Sequence, residues 1–118
     1  MDKISIQQLI ETTRDLILNL ILRIDSIVEE FEHINGQEVF SNNRLNFILD
    51  DFVALAEAVD IIEKQNSSIY LEELTEKLNI LYDSMITKDK LLFKDIIEFE
   101  LKPLLEHWAK VIQFTGKH

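Results

Sequence analysis

Apolar side chains recur at alternating intervals of four and three along the first quarter of the chain. The series runs Ile6, Ile10, Thr13, Ile17, Leu20, Ile24, Ile27, Phe31 and Ile34, with Thr13 its one polar member. By that rhythm successive turns of an α-helix present one stripe to a neighbour, which predicts a helix from about Ile4 to about His33. Leu9, Leu16, Leu18, Ile21, Leu22 and Val28 widen the stripe beyond what one partner helix covers. Several neighbours are therefore expected, as in a bundle. Asn35-Gly36 reads as the stop, because glycine takes the left-handed C-terminal conformation without steric cost.

Three more periodic stretches follow. A second helix is predicted within Gln37 to Gln65, its apolar face carried by Leu45, Ile48, Leu49, Phe52, Leu55, Ala56, Val59 and Ile62. Ser41-Asn42-Asn43 is either its first turn or its N-cap. Gln65-Asn66-Ser67-Ser68 is a polar break in which Ser67 or Ser68 can cap the next helix. That third helix spans about Ile69 to Ile86 on Leu71, Leu74, Leu78, Leu81 and Met85. Thr87-Lys88-Asp89 reads as a tight connection, with Thr87 or Asp89 as cap.

A fourth helix, from about Lys90 to Phe114, carries Ile97, Leu101, Leu104, Trp108 and Val111 on one seam. Leu92, Phe93, Ile96, Leu105 and Ile112 broaden it. Pro103 lies inside this helix, removes the hydrogen bond to the Phe99 carbonyl and crowds that carbonyl. A kink is expected there, not a break, since the apolar seam continues on both sides.

Helices on short connections pack antiparallel to their sequence neighbours. The expected fold is thus all-α, an antiparallel up-down four-helix bundle with a long first helix and a Pro-kinked last helix. It forms one domain over residues 1–118. A first helix of ~45 Å overhangs the third by several turns. Apolar surface around Ile4 to Leu18 would then be covered by fold-back of the chain or by a second copy in a two-fold homodimer.

Composition sharpens this picture. Two Gly and one Pro are too few for the turns of an all-β chain of this length. The absence of Cys excludes disulfides and thiolate metal sites. The greasiest stretch, Leu16 to Ile24, contains Asn19 and Arg23 and is half as long as a membrane span. No secretory leader is recognisable, so a cytoplasmic location is expected. A net charge of −10 repels nucleic-acid phosphates and anionic membranes and favours a partner with a basic face.

Candidate chemistry is thin. Glu30-Phe31-Glu32-His33 contains one Glu-x-x-His, whereas a di-iron bundle needs two, with further inward Glu residues. Leu104 stands three positions before His107, so the second half-site is missing. Glu29-Glu30 and Asp50-Asp51 are adjacent pairs whose side chains diverge by ~100° on a helix. No Gly-x-Ser-x-Gly elbow occurs. Neither catalytic nor metal residues, and no cofactor, are expected. Trp108, Phe99, Phe93 and Phe114 cluster on the last helix, where large aromatics usually enter the core. Phe99 is off the seam beside Pro103 and is the expected exposed contact.

The segment Leu104-Leu105-Glu106-His107-Trp108-Ala109-Lys110-Val111-Ile112-Gln113 resembles the last helix of the bacterial flagellin export chaperones. Those are small acidic helical bundles that wrap a helical partner. The resemblance covers about ten residues, essentially Trp108 with Val111, Ile112 and Gln113. The first half of the chain lacks that family's N-terminal pattern, so its partner-binding residues are not carried over. The longer stretch from Asp95 to Trp108 is similar to small uncharacterised bacterial helical proteins that end in an acidic helix containing Pro and Trp. That likeness implies the bundle and no activity.

The expected function is a non-enzymatic protein-interaction module, adaptor or export-chaperone-like and capable of self-association, for a partner with a helical or basic surface. Phe99, Pro103, Trp108 and Ile112 are its candidate contacts. The alternatives are a ligand- or metal-binding bundle, and an acidic regulator that blocks a basic DNA-binding partner.

Overall fold

The computed structural model describes residues 3–33, 43–64 and 69–115, and all of its regular structure is helical. Helix α1 covers Lys3–His33, α2 Asn43–Glu63 and α3 Leu71–Ile86. The fourth rod is continuous but has three parts: α4 over Lys90–Asp95, a π-helical turn over Ile96–Leu101, and α5 over Lys102–Thr115.

The rods form a ring in which sequence neighbours touch and α1 closes against α5. Lys94 pairs with Glu32 at 3.8 Å and Lys102 with Asp25 at 2.6 Å, in opposite order along the two rods. The first and last rods are therefore antiparallel. Phe31 and Phe93 stack with ring centroids 5.2 Å apart, tying the end of α1 to α4. At ~1.5 Å per residue the 31 residues of α1 reach ~46 Å. The molecule is 48 Å long and 21 Å across, so α1 is its full-length wall.

The core follows the predicted stripes. Ile17, Leu20, Ile24, Ile27 and Phe31 from α1 meet Leu45, Ile48, Phe52, Leu55, Val59 and Ile62 from α2. Leu74, Leu78 and Leu81 from α3 and Phe93, Ile97, Leu101, Leu105, Trp108 and Ile112 from the last rod complete it. Among the described side chains, the bare surface expected near the start of α1 is mostly absent: Ile10, Thr13 and Ile17 are buried within the monomer, and Leu18 is exposed. Helix α2 and the α5 portion of the last rod run alongside this part of α1 and cover it.

The Asn35-Gly36 stop and the Ser67/Ser68 cap lie outside the described residues. Tyr70 occupies the N-cap position of α3, with an extended backbone and no side-chain cap bond. The α3–α4 connection is closed by backbone hydrogen bonds. Asp89 N–H donates to the Ser84 carbonyl at 2.8 Å and Lys88 N–H to the Met85 carbonyl at 3.2 Å. This doubly bonded C-terminal cap requires a left-handed residue, here Lys88 with φ 56°. Asp89 then caps α4, its carboxylate accepting from Leu92 N–H at 3.0 Å.

Pro103 was expected to kink a single α-helix. The structure answers it with a wider turn. Ahead of the proline the hydrogen bonds shift to five-residue spacing, and Lys102 N–H donates to the Ile97 carbonyl.

Candidate functional site

The π-turn follows from the spacing of buried residues. Phe93, Ile97, Leu101 and Leu105 are all buried and stand four apart. On a helix of 3.6 residues per turn each such step drifts ~40°, so three steps would carry the stripe ~120° out of the core. A turn holding more residues cancels that drift. The last rod thus contains one residue more than a straight α-helix would use, and that excess falls within Ile96–Leu101.

On the outer side of this turn lies Glu98-Phe99-Glu100. Glu98 is half-buried, Glu100 exposed, and Phe99 is 64% exposed. Pro103, four positions on, is also exposed. Exposure of Phe99 agrees with its place off the apolar seam. Trp108 and Ile112 are different: 0% and 1% of their surface reaches solvent. Their contacts are made inside the monomer, which corrects their assignment as surface contacts. The four candidates split into an outward pair and an inward pair on one rod.

Carboxylates frame the outward pair. Of the cations in this stretch, Lys94 is drawn to Glu32 and Lys102 to Asp25, both on α1. The hydrogen bond to Asp25, reinforced by the charges of Asp25, Glu106 and Glu98, holds the Lys102 ammonium above its ordinary range against a smaller desolvation cost. Glu98, Glu100 and Glu106 leave the surface around Phe99 and Pro103 acidic.

A second acidic feature lies at the other end of α3. Glu63, Tyr70, Glu72, Glu73 and Glu76 line an open cleft of about 340 Å³. Glu72 and Glu73 occupy the first turn of α3, where the helix N-terminus favours negative charge. The 72, 73, 76 spacing, which puts these carboxylates near one face, was the available sequence signal. What it could not supply was Glu63, brought in by α2.

Elsewhere polar chemistry is sparse. Among the described residues no three His, Asp or Glu side chains gather in a way that could hold a metal ion. The Glu30 to His33 motif reaches the edge of that region, and the side chain of His33 lies outside it. Glu29 and Asp50 are exposed, and Asp51 forms an ion pair with Arg23 on α1. The Thr13 hydroxyl and the Trp108 indole N–H are buried without a hydrogen-bond partner. No described helix is long and apolar enough to cross a membrane.

No curated protein and no solved structure matches the chain at a significant level. A family model does match, over residues 8–111, which takes in all four rods. This chain belongs to the family described as Domain of unknown function (DUF8042).

Proposed function

We propose that the protein is a non-enzymatic protein-interaction module whose contact surface is centred on Phe99 and Pro103. The observation that carries this reading is the exposed phenylalanine on a widened turn of an otherwise completed bundle. The core is closed on itself, so the outward aromatic contributes little to folding. Partly exposed aromatics of this kind serve as anchors when a partner desolvates them. π-turns also occur frequently at functional sites. A cytoplasmic setting and an adaptor or export-chaperone role fit the acidic surface and absence of Cys.

The test is affinity capture from the source cells with wild type and Phe99→Ser side by side, after both are shown to be equally helical and stable. A partner retained by wild type and lost by the variant is the expected result. Equal recovery by both, or no specific partner from either, would retire the surface. Light scattering on the same samples measures self-association.

The four-carboxylate cleft favours a second reading, an acidic regulator that occupies a basic DNA-binding protein. In that case DNA would compete with the captured partner for this protein. Simultaneous binding of DNA and this chain to that partner would exclude it.

A further inference from the structure

Resting on the interaction reading above, we infer that the inserted residue of the π-turn builds a docking ridge for a cationic amphipathic helix supplied by another protein. Glu98-Phe99-Glu100 and Pro103 form that ridge. Its middle is apolar and its flanks are anionic: Phe99 and Pro103 face solvent, with Glu98, Glu100 and Glu106 around them. Lys94 and Lys102 are drawn towards Glu32 and Asp25 on α1. A matching ligand carries aliphatic side chains one turn apart, to lie over Phe99 and Pro103, and Lys or Arg on either side of them. A second copy of this chain is a poor occupant, since each copy carries a net charge of −10.

The insertion gives this inference a specific handle. The buried positions Phe93, Ile97, Leu101, Leu105, Trp108 and Ile112 are spaced 4, 4, 4, 3 and 4. Removing one residue between Ile97 and Leu101 changes this to 4, 3, 4, 3 and 4, the rhythm of an uninterrupted α-helix. Deletion of Glu100 therefore keeps every core residue in phase and abolishes the outward bulge. With one residue fewer, Phe99 stays off the seam but stands three positions from Pro103 instead of four, so the pair no longer forms the same ridge.

The experiment uses a synthetic peptide of about 18 residues with Leu on one helical face and Lys on the other, long enough for about five turns. Binding is measured by fluorescence anisotropy or calorimetry against a control peptide with Glu in place of Lys. Wild type should bind the Leu/Lys peptide and not the Leu/Glu peptide, and more weakly as salt rises from about 50 to about 500 mM. Phe99→Ser and deletion of Glu100 should each weaken binding by about tenfold or more. The triple change Glu98→Gln, Glu100→Gln, Glu106→Gln should weaken it and flatten its salt dependence.

Equal affinity of wild type and Phe99→Ser for the Leu/Lys peptide would overturn the inference, because the attraction would then be general acidity. Failure of the deletion to fold would also count against it, since the π-turn would then be needed by the core. Capture from cells of a Phe99-dependent partner, with no affinity for the cationic peptide, would leave the module standing and remove its cationic ligand.

Discussion

The molecule departs from ideal helix geometry in two places, and the departures differ in kind. At the α3–α4 turn Lys88 adopts a left-handed conformation that costs a non-glycine residue about 1–2 kcal/mol. The chain must reverse there, and the surrounding bonds account for the distortion: Asp89 N–H to Ser84, Lys88 N–H to Met85, and Leu92 N–H to the Asp89 carboxylate. At Ile96–Leu101 the chain does not reverse. The rod runs straight on in sequence, yet it carries an extra residue and turns a phenylalanine to solvent. Topology explains the first irregularity completely. The second follows from the four-residue spacing of the buried stripe, and what packing leaves over there is an outward phenylalanine, which is why a function is sought there.

Substitutions in the two regions sharpen that contrast. Leu101 is fully buried where the wide turn ends. Leu101→Ala should lower the unfolding free energy by about 2–5 kcal/mol in urea titration. A loss under about 1 kcal/mol would mean that the π-turn leaves slack in the core. At the other region Asp89→Ala removes the cap on α4 and should cost about 1 kcal/mol by the same measurement. Lys88→Gly should act in the opposite sense and stabilise by up to about 1 kcal/mol, because glycine adopts the positive φ without a clash. No gain there would show that the turn is held by contacts other than those of its backbone.

The Lys102–Asp25 pair beside the π-turn supplies a smaller, pH-dependent effect. Lys102 is raised above 10.5 in the folded protein, so its stabilising contribution is complete below that pH. It fades as pH rises through the higher folded value. Thermal melts of wild type and Lys102→Met should accordingly converge at strongly alkaline pH, and a constant gap at all pH values would disprove the linkage. Phe99→Ser should change stability least of all, within about 0.5 kcal/mol. A larger loss would reclassify Phe99 as a packing residue and weaken the case for the ridge.

The helical rhythm made most of the fold legible beforehand. Leu20, Ile24, Phe52 and Leu81 are buried because successive turns point them the same way, and that direction can be counted along the chain. Asp89 was legible as a cap for a similar reason: its carboxylate meets a backbone N–H only three residues on. Two things were less accessible. The seam read as Ile97, Leu101, Leu104, Trp108 and Val111 passes for a regular α-helix, and only the companion run Phe93, Ile97, Leu101, Leu105 betrays the extra residue. Pro103 drew attention to the correct turn but suggested a bend. The inward placement of Trp108 and Ile112 follows from their position on the seam, whereas the joining of Glu63 to the α3 carboxylates depends on which rods become neighbours, which one-dimensional spacing does not encode.

Closure of the ring by α1 against the last rod has a bearing on how the molecule is made. Asp25 and Lys102 are 77 positions apart, yet they touch. The α1 wall of the bundle is synthesised before its final neighbour and waits for it while those 77 positions are added. At translation speeds of roughly 5–20 residues per second, a broad greasy stripe therefore stands uncovered for several seconds. In the emerging chain that stripe is a natural target for ribosome-associated holding factors until the last rod arrives to cover it.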